Sequence, residues 1–182
     1  MEIILASNSP RRRALLTEYG INFKVIPPKN EETHPQNVSV YEYVEILARE
    51  KATEVYNENG GIVLGADTIV TLNGKIFGKP TSKEDAFNTL KLLSNKTHEV
   101  ITGYAIISKD FEFVSHEITK VTFNNLSDSL ILDYINTGSP LDKAGSYGIQ
   151  DNFNLVKEIE GSLTNVIGLP VEKIAEILRE KL

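Results

Sequence analysis

The sequence predicts an α/β fold, and two observations lead to this fold class. Short apolar segments of strand length alternate with segments of helical periodicity in the first half of the chain, as at 2–6, 40–57 and 62–64. Residues 99–123 then hold two long runs of strand formers, broken near Lys109 and Asp110, which indicate an antiparallel pair. We therefore expect one mixed sheet with flanking helices.

Capping and turn signals set the bounds of the individual elements. Ser9 is a good N-cap for a helix that Gly20 ends. Ser39 with Glu42 forms a capping box, and Asn73-Gly74 is typical of a type I′ hairpin turn. The expected elements are, in chain order, strands at 2–6 and 23–26, helices at 11–19 and 40–57, a strand at 62–64, a hairpin at 69–77, a helix at 82–93, the antiparallel pair at 99–123, a helix at 127–138, a loop at 139–151, a strand at 153–159 and a C-terminal helix from 170.

Composition excludes several classes of protein. The 182 residues form, as a prediction, a single domain over 1–182 without a linker, and 41% apolar with 24% charged residues is typical of a globular chain. The chain has no cysteine, which excludes a disulfide framework, thiolate zinc and a cysteine nucleophile. No apolar run approaches the roughly 20 residues that span a bilayer, and no basic, apolar signal segment opens the chain. We expect a cytoplasmic protein without a membrane partner.

Charge argues against a nucleic-acid partner but allows a local anion site. The formal net charge is −6, the wrong sign for binding by neutralisation of a phosphate backbone. Arg11, Arg12 and Arg13 nevertheless fall in the first turn of a predicted helix, where positive charge opposes the helix dipole. A bound phosphate would reverse the sign of that interaction, whereas the alternative is a solvated basic face.

Two further charged residues stand at positions that structure alone does not favour. Lys51 lies in or beside the apolar stripe of the 40–57 helix, so its ammonium either faces an anion in a cleft or snorkels to water. Asp67 directly follows the predicted strand 62–64, where an isolated carboxylate is costly unless a metal or a cation binds it. Its alternative is the start of an ordinary turn.

Weaker signals complete a candidate nucleotide site. Lys79 lies on a rigid Gly-Lys-Pro segment, and Glu31 and Glu32 lie in an acidic loop of the kind that supplies carboxylates to Mg²⁺. Gln150 ends a loop with two glycines, and its amide offers a donor and an acceptor to a base edge. Each residue alone is also typical of an ordinary surface turn or solvated loop, but together they suggest a metal-dependent site for a nucleotide polyphosphate.

Seven segments, in order and spanning nearly the whole chain, resemble the Maf family of nucleotide pyrophosphatases. They are 5–12 (LASNSPRR), 47–52 (LAREKA), 65–70 (GADTIV), 78–80 (GKP), 98–103 (HEVITG), 141–150 (LDKAGSYGIQ) and 161–170 (GSLTNVIGLP). The resemblance implies a two-lobed fold similar to inosine triphosphate pyrophosphatases, with the active site in a cleft between the lobes. It also implies hydrolysis of a nucleoside triphosphate between the α and β phosphates, which yields a monophosphate and pyrophosphate.

The resemblance also implies roles for individual residues. Arg11, Thr68 and Gln150 match the branch of the family that hydrolyses dTTP and UTP. Asp67 matches the proton acceptor, and Glu32 matches the acidic position that joins it at a divalent metal, Mg²⁺ or Mn²⁺. The resemblance further implies that the substrate is bound by Ser7, Arg12, Lys51 and Lys79. Two positions depart from the family pattern, since Asp151 replaces a usual glycine and Leu163-Thr164 replaces a more aromatic stretch.

Two other classes of function stay open at the level of sequence. The family's name invites a non-catalytic, nucleotide-binding regulator of cell division, which would bind nucleotide without turnover. A nucleic-acid binder that uses Arg11 to Arg13 is disfavoured by the net charge of −6. The resemblance favours a homodimer.

Overall fold

The computed structural model describes residues 2–181. The strands are β1 (Ile3–Leu5), β2 (Phe23–Val25), β3 (Val63–Leu72), β4 (Lys75–Phe77), β5 (Thr97–Ile107), β6 (Glu112–Phe123) and β7 (Val156–Glu160). The helices are α1 (Pro10–Glu18), α2 (Val40–Asn59), α3 (Lys83–Leu93), α4 (Asp128–Asn136), α5 (Leu163–Ile167) and α6 (Val171–Lys181), with 3₁₀ turns at Ser139–Asp142 and Ala144–Ser146. None of these helices has the length and apolarity needed to cross a bilayer.

The strands form one mixed sheet, as the sequence predicts. The order is β2-β1-β3-β5-β6-β7, with β4 paired to β3. β1 pairs in parallel with both neighbours, with Ile4 opposite Lys24 and Val63, whereas β3–β4 and β6–β7 are antiparallel. Residues 108–111 join β5 to β6, a connection too short for a parallel crossover.

The chain divides into two compact units. Of the residues that the structure describes, the first unit holds 2–68, 102–117 and 168–181, and the second holds 69–101 and 118–167. A core cluster of the first unit joins β1, α2, β3 and β5 through Ile4, Ala6, Ala48, Ala52, Val55, Val63, Ala105 and Ile107. A larger cluster of the second unit includes Phe77, Leu90, Phe123, Tyr134 and Tyr147. Each unit therefore has its own apolar core.

Helix α2 lies directly against the sheet of the first unit because two glycines face it. A Cβ built on Gly65 of β3 would lie 2.3 Å from the carbonyl oxygen of Ala48, and one on Gly103 of β5 would lie 2.2 Å from that of Val44. Both contacts are to helix backbone, which cannot rotate away as a side chain can. The two glycines thus set how closely α2 approaches β3 and β5.

Most predicted caps and turns are confirmed. The hydroxyls of Ser9, Ser39, Ser82 and Ser127 all accept backbone N–H bonds at helix starts, and Ser39 forms the full capping box. Asn73 and Gly74 both have positive φ, as a type I′ turn requires.

Three predictions about elements were wrong. Strand 62–64 and the first arm of the hairpin are one continuous strand, β3, because its start pairs with β1 and its end with β4. Asp67 therefore lies within a strand and does not follow one. Residues 153–155, predicted as the start of a strand, precede β7. In addition, the short helix α5 was not predicted, since its five residues are too few for a periodic pattern.

Gly65 provides a test of the packing of α2. We predict that Gly65→Ala lowers the free energy of unfolding by about 3 kcal/mol, because the new methyl group overlaps helix backbone. Gly78→Ala is the matched control, because no heavy atom of residues 2–181 outside its chain neighbours lies within 4 Å of the added Cβ. Denaturant unfolding measures both, and equal effects would contradict this packing.

His98 predicts a pH-dependent stability of the second unit. Its ring is buried between Phe123 and Tyr147, and burial lowers its pKa from 6.5 to about 4. The unfolded chain then binds a proton that the folded chain does not, so the contribution of His98 is present above pH 6.5 and is lost as the pH falls towards 4. We expect a loss of about 3 kcal/mol across that window.

This expectation is tested by measuring the free energy of unfolding from pH 7 to pH 4 and comparing its slope against pH. His98→Gln should flatten the dependence of unfolding free energy on pH, whereas His34→Gln, at an exposed position, should not. Parallel curves for the wild type and His98→Gln would show that His98 titrates normally in the folded chain.

Candidate active site

A cluster of three charged side chains stands out in the first unit. The ammonium Nζ of Lys51 lies 2.7 Å from Oδ1 of Asp67 and 2.8 Å from Oε1 of Glu32. The side chains of Lys51 and Asp67 are only 13% and 12% exposed, whereas that of Glu32 is 51% exposed. One ammonium group thus draws two carboxylates together, one desolvated and one at the surface.

The contact between α2 and β3 explains why Lys51 meets Asp67. Gly65 and Asp67 are two residues apart on a strand, so both project from the same face of the sheet. On the helix, Ala48 and Ala52 touch the Gly65 position, and Lys51 is their neighbour on the same helix face. The glycine that lets the helix approach also brings the lysine to the carboxylate.

The loop that carries Glu32 is fastened to α2 by glutamates spaced four residues apart. Glu50 accepts from the Thr33 hydroxyl at 2.7 and 2.8 Å, and Glu54 accepts from the backbone N–H groups of Lys29 and Asn30. Glu58 pairs with the Lys29 ammonium at 2.6 Å. Since residues i, i+4 and i+8 share a helix face, these carboxylates hold the loop along α2.

An open groove of about 900 Å³ runs between this loop and α2. It is lined by Pro28, Asn30, Glu31, Glu32, Thr33, Leu47, Arg49, Glu50, Lys51, Thr53, Glu54, Asn57 and Glu58. Lys51 and Glu32 therefore border space that solvent or a ligand can reach.

The two carboxylates of the cluster are the kind of ligand that a divalent cation takes from a protein. Asp67 and Glu32 offer carboxylate oxygens, which Mg²⁺ and Mn²⁺ prefer, and both oxygens already lie within hydrogen-bond distance of one cation, Lys51. No group of three or more His, Cys, Asp or Glu that could hold a metal occurs within residues 2–181. Magnesium commonly takes one or two protein carboxylates and fills its other positions with water and phosphate oxygens.

Arg12 donates mainly to the protein itself. Its guanidinium donates to the carbonyl oxygens of Ala66 and Gly168, both at 2.8 Å, and to the hydroxyls of Ser7 at 3.2 Å and Thr68 at 3.1 Å. Burial lowers the pKa of Arg12, and the charge of Asp67 opposes that shift. The side chain of Arg12 thus links α1 to β3 and to the segment before α6, and its predicted contact with phosphate stays a prediction.

Ser7 and Thr68 are positioned by the same network. The Ser7 hydroxyl accepts from the backbone N–H of Ser9 at 3.1 Å, and the Thr68 hydroxyl lies 2.9 Å from that of Thr102. Both hydroxyls also accept a hydrogen bond directly from the Arg12 guanidinium. Arg11 is half-buried in the first turn of α1, a turn that contains no acidic residue.

The remaining two predicted site residues lie in the second unit. Lys79 and Gln150 are both exposed. The two loops that carry them are joined, because the N–H of Gly145 donates to the carbonyl oxygen of Gly78 at 3.1 Å. The first unit thus groups Glu32, Lys51 and Asp67 with Ser7, Arg12 and Thr68, and the second unit holds Lys79 and Gln150.

Several residues that support the cluster are not predicted from the sequence. For Glu50 and Glu54 the available signal is their spacing of four on α2, which puts both carboxylates on one helix face. Tyr43 lies two turns before Lys51, and burial raises its pKa, with smaller contributions from the charges of Asp67 and Glu32. Nothing in the local sequence links Thr102 or Gly168 to Arg12.

Comparisons with known proteins agree with the segments that first suggested a family. A sequence profile of the family described as Maf-like protein matches residues 2–181. A dTTP/UTP pyrophosphatase of Thermococcus onnurineus (strain NA1) is 49% identical over 175 residues, which cover 93% of this chain and 92% of that protein. A dTTP/UTP pyrophosphatase of Aquifex aeolicus (strain VF5) is 45% identical over 182 residues, with 99% and 95% covered.

Solved structures share the fold at much lower identity. The Ham1 protein of Staphylococcus aureus aligns with a TM-score of 0.56 at 14% identity, covering 100% of both chains. A HAM1 protein from Coxiella burnetii aligns with a TM-score of 0.55 at 18% identity, covering 99% of both. The mixed α/β fold predicted from the sequence is thereby confirmed.

The buried charge pair can be tested by a double-mutant cycle. We predict that Lys51→Met and Asp67→Asn couple by at least about 2 kcal/mol in unfolding free energy, because Lys51→Met takes the cation away from a desolvated carboxylate and Asp67→Asn takes one negative charge away from a desolvated ammonium. The exposed pair Lys91 and Asp128, 2.6 Å apart, is the control and should couple by less than about 1 kcal/mol. Similar coupling in the two cycles would mean that Lys51 and Asp67 are solvated.

Proposed function

We propose that this chain, which belongs to the Maf family, hydrolyses dTTP and UTP between the α and β phosphates to the monophosphate and pyrophosphate. The single observation that carries the proposal is the Lys51–Asp67–Glu32 cluster, in which Lys51 and Glu32 border an open groove and Lys51 also holds the desolvated carboxylate of Asp67. The names of the relatives, dTTP/UTP pyrophosphatases, supply the substrate class.

Asp67 is proposed to take the proton of the attacking water. The water oxygen forms a bond to the α phosphorus, the bond from that phosphorus to the bridging oxygen breaks, and pyrophosphate leaves. The carboxylate of Asp67 lies within a strand that is anchored at both ends, so it is held in place before substrate arrives.

Lys51 is proposed to exchange a carboxylate partner for a phosphate oxygen when substrate binds. Its ammonium is held by Asp67 and Glu32, and the triphosphate brings negative charge to the same place. Fixed charge of this kind stabilises the charge that develops in the transition state. We propose Lys79 as a second phosphate ligand.

A divalent cation, Mg²⁺ or Mn²⁺, is proposed at Asp67 and Glu32. When bound there, it would act as a Lewis acid on the phosphate oxygens and offset their charge. The fastening of the Glu32 loop by Glu50 and Glu54 keeps the second carboxylate near the first.

The base is proposed to be read by Arg11, Thr68 and Gln150. Gln150 can donate and accept at a pyrimidine edge, and its exposed amide is available to a ligand. Arg12 is proposed to neutralise phosphate charge, and its guanidinium also holds Ser7 and Thr68 in place. Ser7 is a further proposed contact of the substrate.

Product analysis tests the proposed reaction. Purified protein is incubated with each common nucleoside triphosphate, with and without Mg²⁺ or Mn²⁺, and pyrophosphate and orthophosphate are measured separately. We expect pyrophosphate from UTP and dTTP only when the metal is present. Orthophosphate as the sole product would show that a different bond is cleaved, and nucleotide binding without turnover would favour a regulator.

Asp67→Asn tests the assignment of the base. We expect it to lower kcat by at least about a hundredfold, because an amide cannot accept the proton. Circular dichroism should show a folded protein, since the amide oxygen still accepts from Lys51. Asp128→Asn is the control at an exposed carboxylate, and near-wild-type turnover by Asp67→Asn would reject this role.

Gln150→Glu tests the assignment of base recognition. A carboxylate cannot donate to the carbonyl oxygens of uracil or thymine, so kcat/KM for UTP and dTTP should fall by roughly tenfold or more. Gln36→Glu adds the same charge at an exposed position that is not part of the proposed site, so it should leave the ratios of kcat/KM among the nucleotides unchanged. An equal loss for all nucleotides with Gln150→Glu would exclude a role in selectivity.

A further inference from the structure

The loop that ends in Gln150 is fastened from inside the second unit by one buried tyrosine. The hydroxyl of Tyr134, on α4, accepts the N–H of Gly148 at 2.8 Å and donates to Oδ2 of Asp151 at 2.5 Å. The loop is also closed on itself, because the N–H of Asp151 donates to the carbonyl oxygen of Gly148 at 3.1 Å. Gln150 thus lies between two residues that share one anchor.

The Asp151 carboxylate is the centre of this anchor. Besides Tyr134, it accepts from the Ser139 hydroxyl at 2.8 Å, and the Lys143 ammonium lies 3.8 Å away. Lys143 in turn donates to Oγ of Ser139 at 3.0 Å, which closes a small network. The side chains of Lys143 and Asp151 are 13% and 20% exposed, so solvent competes little for these bonds.

The direction of the bonds is set by the chemistry of the phenol. Burial raises the pKa of Tyr134, and its bond to Asp151 raises it further, so the phenol stays protonated. Its one proton goes to the carboxylate, and its lone pair receives the Gly148 N–H. The ring of Tyr134 is fully buried and packs on Phe153, which fixes where the hydroxyl lies.

We propose that Asp151 and Tyr134 are positioning residues that set base selectivity by holding the loop of Gln150 in one conformation. This inference rests on the proposed function, in which Gln150 reads the pyrimidine. Neither residue touches the substrate in this account. They act by keeping the amide of Gln150 where a base edge can meet it, and selectivity is sensitive to such placement.

Three conservative variants separate this role from a structural one. Asp151→Asn keeps the size of the side chain but weakens its acceptor bonds, and Tyr134→Phe keeps the buried ring and removes the hydroxyl. Asp142→Asn is the matched control, because Asp142 pairs with the same Lys143 at 3.0 Å but its side chain is 65% exposed and lies at the surface of the network. For each variant, kcat/KM is measured with UTP, dTTP, CTP and ATP.

We expect Asp151→Asn and Tyr134→Phe to lower the preference for UTP over CTP and ATP by roughly tenfold, with Asp142→Asn unchanged. In a Gln150→Ala background, Asp151→Asn should have no further effect on this preference, because the residue through which it acts is gone. A uniform loss for all four nucleotides, or an equal effect with and without Gln150, would overturn the proposal.

Hydrogen exchange tests the anchor without turnover. The amide of Gly148 should exchange faster in Tyr134→Phe and Asp151→Asn than in the wild type and Asp142→Asn. Unchanged exchange would overturn the proposed anchor even if the enzyme assays succeed. Faster exchange in a protein that hydrolyses no nucleotide would instead refute the proposed function and leave the anchor established, with no selectivity for it to set.

Discussion

The contact of α2 with β3 at Gly65 is the constraint on which the rest of the candidate site depends. The helix backbone lies so close to the strand that even a methyl group at position 65 would overlap it. At that distance Lys51 reaches Asp67 directly, and both side chains lose most of their water. A desolvated ion pair adds little net stability compared with apolar residues, so its presence beside the core points to a role other than folding.

The same constraint orders the surroundings of the charge pair. Once α2 is placed, its outer glutamates fasten the loop that brings Glu32 to Lys51, and Asp67 adds a stabilising charge near the buried guanidinium of Arg12. Arg12 then donates to carbonyl oxygens of two distant segments and to the Thr68 hydroxyl, which holds the side chain of Thr68 in place. The charges are therefore held in position before any substrate arrives, which is how enzymes lower the cost of reorganisation during reaction.

A feature of the fold or the site can be predicted from the sequence when the interacting residues lie close together in the chain. Caps, the hairpin turn and the place of Lys51 at the edge of an apolar stripe are local, so the sequence is enough to predict them. The sequence also places Arg12 correctly in the first turn of α1, but its partner Gly168 is 156 residues away and offers only a backbone carbonyl oxygen, which carries no side-chain signal. Asp67 is recognisable as unusual but is predicted at a strand end, because the small residues Gly65 and Ala66 resemble a turn until the helix that covers them is known.

The location of bound substrate and metal is the most direct test of the account. Crystals of the wild-type protein with Mn²⁺ and a UTP analogue that carries an imido group between the α and β phosphates would show both, the metal by its anomalous scattering. We predict an anomalous peak in bonding contact with the carboxylates of Asp67 and Glu32, and the Lys51 ammonium on a phosphate oxygen. A bound analogue whose phosphates and metal lie away from Lys51 and Asp67 would contradict the assignment of this cluster as the catalytic centre.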